Sequence, residues 1–136
     1  MKVMDSAYDI IGDIHGQADA LAALLRQMGY REHNGAWRHS GRQAILVGDF
    51  VDRGPKQVDS VMMVRHMVDA GSALAVMGNH DFNAIAWYLP DPANPGDYLR
   101  PRFPAKTAKG TGSNTQSFLT RWKTVLLCTR KSSIGC

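Results

Sequence analysis

The sequence is poor in cysteine and has no long apolar run. Its only cysteines are Cys128 and Cys136, and two thiols with no histidine nearby make neither a zinc site nor a disulfide framework. No apolar stretch approaches the roughly 20 residues of a membrane span. Residues 1–9 hold one Lys and two Asp and no apolar core, so we expect no secretory signal and a cytoplasmic location.

Acidic residues are absent from the last part of the chain. Residues 98–136 hold eight of the 16 Lys and Arg residues and none of the 12 Asp and Glu residues, so this segment is strongly basic and the remainder is acidic. We therefore expect one domain over residues 1–98 and a basic, loop-rich tail over residues 99–136. The tail favours a polyanionic partner, but it lacks the interleaved aromatic residues of a nucleic-acid stacking platform. A nucleic-acid partner is therefore not expected.

Short apolar runs alternate with helical patterns between residues 8 and 88. They predict the order β-α-β-α-β-α, with elements at residues 8–11, 17–28, 43–47, 55–70, 73–77 and 81–88. In this reading Pro55 lies in the first turn of the second helix. The alternation is typical of an α/β fold with a mostly parallel sheet covered on both faces.

A glycine-flanked turn with polar residues follows each predicted strand. The turns are Gly12-Asp13-Ile14-His15-Gly16, Gly48-Asp49-Phe50-Val51-Asp52-Arg53-Gly54 and Gly78-Asn79-His80-Asp81. Because the carboxyl ends of parallel strands lie at one edge of a sheet, where ligands bind, we expect the three turns to converge. Oxygen and imidazole donors indicate a site for Mn, Fe or Zn and not a site built from thiolates. Such a cluster could hold two metal ions for phosphoester chemistry.

In the first turn, Asp13 and His15 are separated by one residue. In an extended or turn segment two such side chains point the same way, so both can bind one cation. The alternative is that Asp13 caps the following helix and His15 is a surface residue. The pair alone does not decide between these interpretations.

The second turn offers a carboxylate that can bridge two cations, Asp49, at the mouth of a buried strand. Asp52 and Arg53 follow, and they form either a weak surface ion pair or a functional pair. In the functional interpretation Arg53 binds phosphate oxygens in bidentate geometry, and Asp52 holds an imidazole in one tautomer.

The third turn supplies Asn79, whose amide oxygen can bind a metal, and His80, which can act as a general acid for the leaving alkoxide. A lone histidine after a strand is usually structural, but next to Asn79 the functional interpretation dominates. The remaining histidines are interpreted as solvated or packing residues: His33, His39 and His66.

Together the three motifs, in this order, resemble the calcineurin-like metallophosphoesterases. The resemblance is to the branch that contains the protein serine/threonine phosphatases and the symmetrical diadenosine tetraphosphatases, and it covers about residues 8–88. It implies the N-terminal half of a four-layer α/β/β/α sandwich, in which a mostly parallel sheet is flanked by helices.

The resemblance also implies a role for each motif residue and a reaction. Asp13 and His15 would bind a first metal ion, Asp49 would bridge, and Asn79 would bind a second ion and help to bind substrate. His80 would protonate the leaving group, oriented by Asp52, while Arg53 holds the phosphate. The ions would be Mn, Fe or Zn, with Mn expected in vitro, and a metal-bound hydroxide would attack a phosphomonoester, such as a phosphoprotein, or a dinucleoside polyphosphate.

Two departures from the family pattern keep alternatives open. Asp81 stands where that branch usually has Glu, and no histidine follows His80, although the family's second half supplies further histidine ligands. We therefore hypothesise a truncated chain with a reading-frame change near residues 120–122, and we expect self-association through an exposed sheet edge. The alternatives to an active enzyme are an inactive, phosphate-binding fragment or pseudoenzyme, and a module that binds polyanions through its basic tail.

Overall fold

Three short parallel strands form the centre of the fold. The computed structural model describes residues 7–101. Its main sheet has the order β1-β4-β5, and a separate antiparallel pair is formed by β2 and β3. In chain order the elements are β1 (Ala7–Ile11), α1 (Ala18–Gln27), β2 (Arg31–His33), β3 (Ala36–Arg38), β4 (Arg42–Leu46), α2 (Gln57–Asp69), β5 (Ala73–Ala75) and α3 (Asn79–Ala86).

The predicted α/β class is confirmed, with a parallel sheet flanked by helices. α1 lies between β1 and β4 in the chain, and α2 lies between β4 and β5, as the alternating pattern predicts. The pairing of Ile10 with Ile45, and of Ile45 with Leu74, aligns the three strands so that their carboxyl ends share one edge. The second helix begins at Gln57 rather than at Pro55, because the preceding turn extends further than expected.

The core lies on one face of this sheet. Ile11, Leu46 and Ala73 are buried there, and α1 packs against α2. Both crossovers step in the same direction across the sheet, and right-handed crossovers then place both helices on the same face. The core side chains of the helices include Leu25 and Met67, which are fully buried.

The opposite face of the sheet is apolar and exposed in the part of the chain that the structure describes. Ile10 is 72% exposed, Leu74 is 51% exposed and Val76 is 58% exposed. Ile10 is next to the buried Ile11 and Leu74 is next to the buried Ala73, and neighbouring side chains of a strand point to opposite faces. The expectation that both faces are covered is therefore not met within residues 7–101.

A polar cluster, which we call the Asp9 cluster, joins β1, β4 and the segment between α1 and β2. It consists of Asp9, Tyr30 and Arg42. The Tyr30 hydroxyl donates a hydrogen bond to Asp9 Oδ2 at 3.0 Å, and Arg42 Nε lies 3.1 Å from the same oxygen as an ion pair. Arg42 also donates to the Met28 carbonyl. Burial of Tyr30, followed by its hydrogen bond to Asp9, raises the pKa of the phenol to about 12.

The described part of the chain divides into two units, with the division between Asn83 and Ala84. In the second unit, the described residues form a bridge between Pro90 and Tyr98, and the Arg100 amide donates to the Ala86 carbonyl at 3.0 Å. The predicted boundary between residues 98 and 99 stays a prediction.

The cysteines and most of the basic tail, including the proposed frame change, lie outside the described residues. Within residues 7–101 no helix has the length and apolar character needed to cross a bilayer. The cytoplasmic location stays a prediction.

Candidate metal centre

The three glycine-flanked turns lie side by side at the carboxyl edge of the sheet. A methyl group added to Gly54 would meet the His15 carbonyl and Gly16, and one added to Gly78 would meet Asp49. The first turn therefore contacts the end of the second turn, and the third contacts its beginning. Glycine at these positions lets the backbones approach more closely than any side chain would allow.

Backbone hydrogen bonds hold the first two turns together. The His15 amide donates to the Asp49 carbonyl at 2.7 Å, and the Gly16 amide donates to the Phe50 carbonyl at 2.9 Å. In return the Gly54 amide donates to the His15 carbonyl at 2.7 Å. The turns thus satisfy one another's polar groups, which fixes their relative positions.

The backbone at this edge is strained. Non-glycine residues rarely adopt a positive φ, because the Cβ atom crowds the backbone, and each such residue costs about 1–3 kcal/mol. Five residues of the first two turns do so: Asp13, His15, Asp49, Asp52 and Arg53, with φ between 46° and 69°. In the described part of the chain the only other case is Asn34, in the β2–β3 turn. Strain of this kind clusters at functional sites.

One group of side chains at this edge has the chemistry of a metal site. His15, Asp49 and His80 each offer one ligand atom, and these atoms all lie within 4.8 Å of one another. We call these three residues the ligand group. Each is partly buried. An imidazole and carboxylate donor set of this kind fits Mn, Fe or Zn.

Each imidazole of the ligand group is held by its Nδ1 atom. His15 Nδ1 lies 3.0 Å from the Val51 carbonyl oxygen, and His80 Nδ1 lies 2.8 Å from Asp52 Oδ2. Because both partners are acceptors, each Nδ1 carries the hydrogen, and Nε2 is left to bind a metal or to exchange a proton. The two rings meet edge to face, with centroids 4.9 Å apart.

The predicted site residues fall into two sets. The structure brings together His15, Asp49, His80 and Asp52, the last through its bond to His80. Asp13 lies on the first turn but is exposed and does not join the ligand group. Arg53 and Asn79 are also exposed, and Asn79 is the first residue of α3. The roles assigned to all of these residues stay predictions.

The other histidines lie away from the ligand group. His33 and His66 are exposed, as predicted for solvated residues. His39 contacts the Tyr30 ring, with centroids 5.2 Å apart, and its Nδ1 accepts a hydrogen bond from the Gly41 amide. His39 is thus a packing residue.

Sequence reasoning missed Gln57. This first residue of α2 is only 8% exposed, and its Oε1 accepts a hydrogen bond from the Asp52 amide at 3.0 Å. It thereby supports the residue that holds His80. The available signal was its position, because Gln57 falls on the same helical face as Val64 and Met67, which is the buried face of α2.

The fold and the site together define the class of the protein. It is an α/β protein with a candidate metal centre of imidazole and carboxylate donors at the carboxyl edge of its parallel sheet. The family model described as calcineurin-like phosphoesterase matches residues 8–130. The chain therefore belongs to the calcineurin-like phosphoesterases, as its motifs predict.

Tetraphosphatases are among the curated proteins that are similar to this chain. The chain is 43% identical over 84 residues to the asymmetrical bis(5'-nucleosyl)-tetraphosphatase PrpE of Bacillus subtilis (strain 168), and the matched region covers 61% of this chain and 34% of that protein. It is 37% identical over 101 residues to the symmetrical bis(5'-nucleosyl)-tetraphosphatase of Yersinia enterocolitica, and this match covers 73% of this chain and 31% of that protein. The chain thus spans about a third of the length of these relatives.

Proposed function

We propose that this chain carries the first part of a metal-dependent phosphoesterase site and hydrolyses phosphoester or phosphoanhydride bonds. The observation that carries the proposal is the ligand group, in which His15, Asp49 and His80 converge from three separate turns. Family membership and the tetraphosphatase names of the relatives support it.

In this proposal His15 and Asp49 would hold a divalent metal ion, and Asp49 would also contribute to holding a second ion. Asp13 and Asn79 would be the further ligands, and Mn²⁺ is the ion expected in vitro. When bound, the ions supply Lewis-acid polarisation of the phosphoryl oxygens and activation of the attacking water.

His80 holds the proton for the leaving group. The Asp52 carboxylate at 2.8 Å accepts the Nδ1 hydrogen, so the second proton of the imidazolium resides on Nε2. As the bond between phosphorus and the leaving oxygen breaks, that proton moves from Nε2 to the oxygen. During this step the guanidinium of Arg53 binds the phosphoryl oxygens that do not leave.

We further propose a dinucleoside polyphosphate as the substrate, in preference to a phosphomonoester. The relatives named as symmetrical and as asymmetrical bis(5'-nucleosyl)-tetraphosphatases share this substrate class. Incubation of the folded chain with Mn²⁺ and diadenosine tetraphosphate, followed by anion-exchange chromatography, tests this. ADP alone indicates symmetrical cleavage, and ATP with AMP indicates asymmetrical cleavage.

A phosphomonoester, p-nitrophenyl phosphate, is the comparison substrate in the same experiment. We expect a higher kcat/KM for diadenosine tetraphosphate. Turnover of the monoester alone would contradict the substrate proposal. A folded chain that binds Mn²⁺ and inorganic phosphate but turns over neither substrate would instead favour the phosphate-binding fragment.

A further inference from the structure

We propose that Asp81 is a positioning residue, whose single buried carboxylate ties the turn after β4 to the turn after β5 and thereby orients His15. In the sequence Asp81 ends the third turn and stands where the resembled branch usually has Glu. The proposal rests on the proposed function in one respect, namely that His15 Nε2 is a metal ligand.

The Asp81 carboxylate is occupied by backbone amides. Oδ1 accepts hydrogen bonds from the Phe50 amide at 2.9 Å and from the Val51 amide at 3.3 Å, and Oδ2 accepts one from the Gly78 amide at 2.9 Å. The residue is only 8% exposed, and within residues 7–101 it makes no ion pair. A buried carboxylate without a cation depends on such donors for its stability.

Helix capping explains only half of this arrangement. Asp81 is the third residue of α3, and an acidic side chain at that position commonly reaches back to the amide just before the helix, which here belongs to Gly78. A cap has no need of Phe50 and Val51, which precede Asp81 by about thirty residues. The second oxygen therefore serves the turn after β4.

The segment that Asp81 holds is the segment that holds the first turn. The Val51 amide donates to Asp81, and the Val51 carbonyl accepts from His15 Nδ1 at 3.0 Å. In the same way, the Phe50 amide donates to Asp81, and its carbonyl accepts from the Gly16 amide at 2.9 Å. Two residues thus connect Asp81 to the first turn: Val51 connects it to His15, and Phe50 connects it to Gly16.

This geometry gives Asp81 a specific effect on the ligand group. The Val51 carbonyl requires the hydrogen of His15 to be on Nδ1, which leaves Nε2 with its lone pair. Outer partners of this kind fix the tautomer and orientation of a ligating histidine, and their loss lowers metal affinity by roughly 10- to 100-fold. Without the carboxylate at position 81, residues 50–51 lose their anchor and His15 loses its fixed orientation.

The test compares Asp81→Asn and Asp81→Glu with Asp69→Asn as a matched control on the full chain. Asp69 is an exposed carboxylate whose described partner is Arg65 on the same helix. The first readout is the ring ¹H–¹⁵N correlation spectrum of His15 in the metal-free chain, which reports its tautomer. The second is Mn²⁺ affinity by electron paramagnetic resonance, with folding checked by circular dichroism.

We expect Asp81→Asn to remove the Nδ1–H signature of His15 and to weaken Mn²⁺ binding by about 10- to 100-fold. Its amide group cannot accept from Phe50, Val51 and Gly78 together. Asp81→Glu keeps the carboxylate and should restore both readouts to within about threefold of the parent, and Asp69→Asn should leave both unchanged. A folded Asp81→Asn chain with the parent tautomer and affinity would overturn the proposal.

Two further outcomes are also decisive. If Asp81→Asn does not fold, Asp81→Glu carries the test, and a folded Glu variant without the Nδ1–H signature would overturn the positioning role. If the parent chain binds no Mn²⁺, the proposed function fails, but the tautomer readout still supports or overturns the role of Asp81.

Discussion

The ligand group and the Asp9 cluster are two polar groups on the same sheet. They differ in whether their polar atoms are paired with other protein groups. In the Asp9 cluster, the carboxylate of Asp9 meets both a phenol and a guanidinium, so that its charge is compensated within the protein. In the ligand group, the two imidazoles bind protein acceptors through Nδ1, and among residues 7–101 their Nε2 atoms have no hydrogen-bond partner. The first arrangement stabilises the fold, and the second keeps ligand atoms available.

The backbone shows the same contrast. Around the ligand group, five non-glycine residues adopt positive φ, whereas Asp9, Tyr30 and Arg42 do not. The strained turns are maintained by hydrogen bonds between them and by close glycine contacts. A site that needs converging ligands therefore stores strain that a purely structural cluster avoids.

The largest expected effect is on catalysis, at His80. Replacing His80 with Asn removes the proton donor while an amide still reaches Asp52, so we expect kcat to fall by about 10²- to 10⁴-fold. Steady-state kinetics with the substrate that the parent turns over measures this. His66→Asn, at an exposed position on α2, is the control and should retain the parent rate. An unchanged kcat in His80→Asn would refute the assigned role.

The next effect concerns the contact between the first two turns. Gly54→Ala places a methyl group against the His15 carbonyl and Gly16, and such overpacking should lower the free energy of unfolding by about 1–3 kcal/mol. Urea denaturation measures the change. Gly41→Ala is the control, because a Cβ atom there meets nothing within 4 Å. Equal stability of the two variants would show that the turns are not packed as described.

A smaller effect is expected in the Asp9 cluster. Tyr30→Phe removes the hydrogen bond to Asp9 and should lower the free energy of unfolding by about 1 kcal/mol at neutral pH, with catalysis unchanged. Because burial raises the folded-state pKa of Tyr30 from 10.0 to about 12, its stabilising contribution is present below pH 10 and is lost as the pH rises toward 12. Urea titrations at a series of pH values should therefore show the difference between parent and variant shrinking over that window. A constant difference would contradict the assignment.

A substitution on the exposed sheet face should have the smallest effect on the metal site. Its effect should be on the self-association of the chain. Ile10 and Leu74 present apolar surface of the kind that promotes self-association. We expect the chain to self-associate, and Ile10→Ser to weaken that association without changing Mn²⁺ binding. Sedimentation velocity measures both chains. A parent chain that is monomeric at all concentrations tested would contradict this prediction.

The convergence of the three turns could be predicted from the sequence, because the alternation of strands and helices largely determines the topology of the sheet. Apolar runs alternating with helical patterns imply parallel strands, whose carboxyl ends must share an edge. The placement of His15, Asp49 and His80 after three such runs therefore predicted that they would meet. The chemistry of the second turn predicts that Asp52 holds an imidazole, and the family resemblance implies that this imidazole is His80, which the structure places 2.8 Å from Asp52.

The remaining features depend on contacts that no local pattern contains. Asp is enriched among the non-glycine residues that adopt a positive φ, but this preference does not tell which Asp residues do so, and the positive φ of Asp13 and Asp52 is seen only in the structure. The role of Gln57 requires knowing that the helix begins there and not at Pro55. The uncovered face follows from both crossovers stepping in one direction, which the order of elements alone does not reveal.

The central claim is that the three turns form one metal site, and Mn²⁺ titration of the full chain tests it most directly. Electron paramagnetic resonance of the free ion, with the parent and Asp49→Asn compared, reports saturable binding. We predict that the parent binds Mn²⁺ saturably and that Asp49→Asn, folded by circular dichroism, loses at least about 100-fold in affinity, more than an outer partner would. Equal Mn²⁺ binding by the two folded chains, or no saturable binding by either, would contradict the claim.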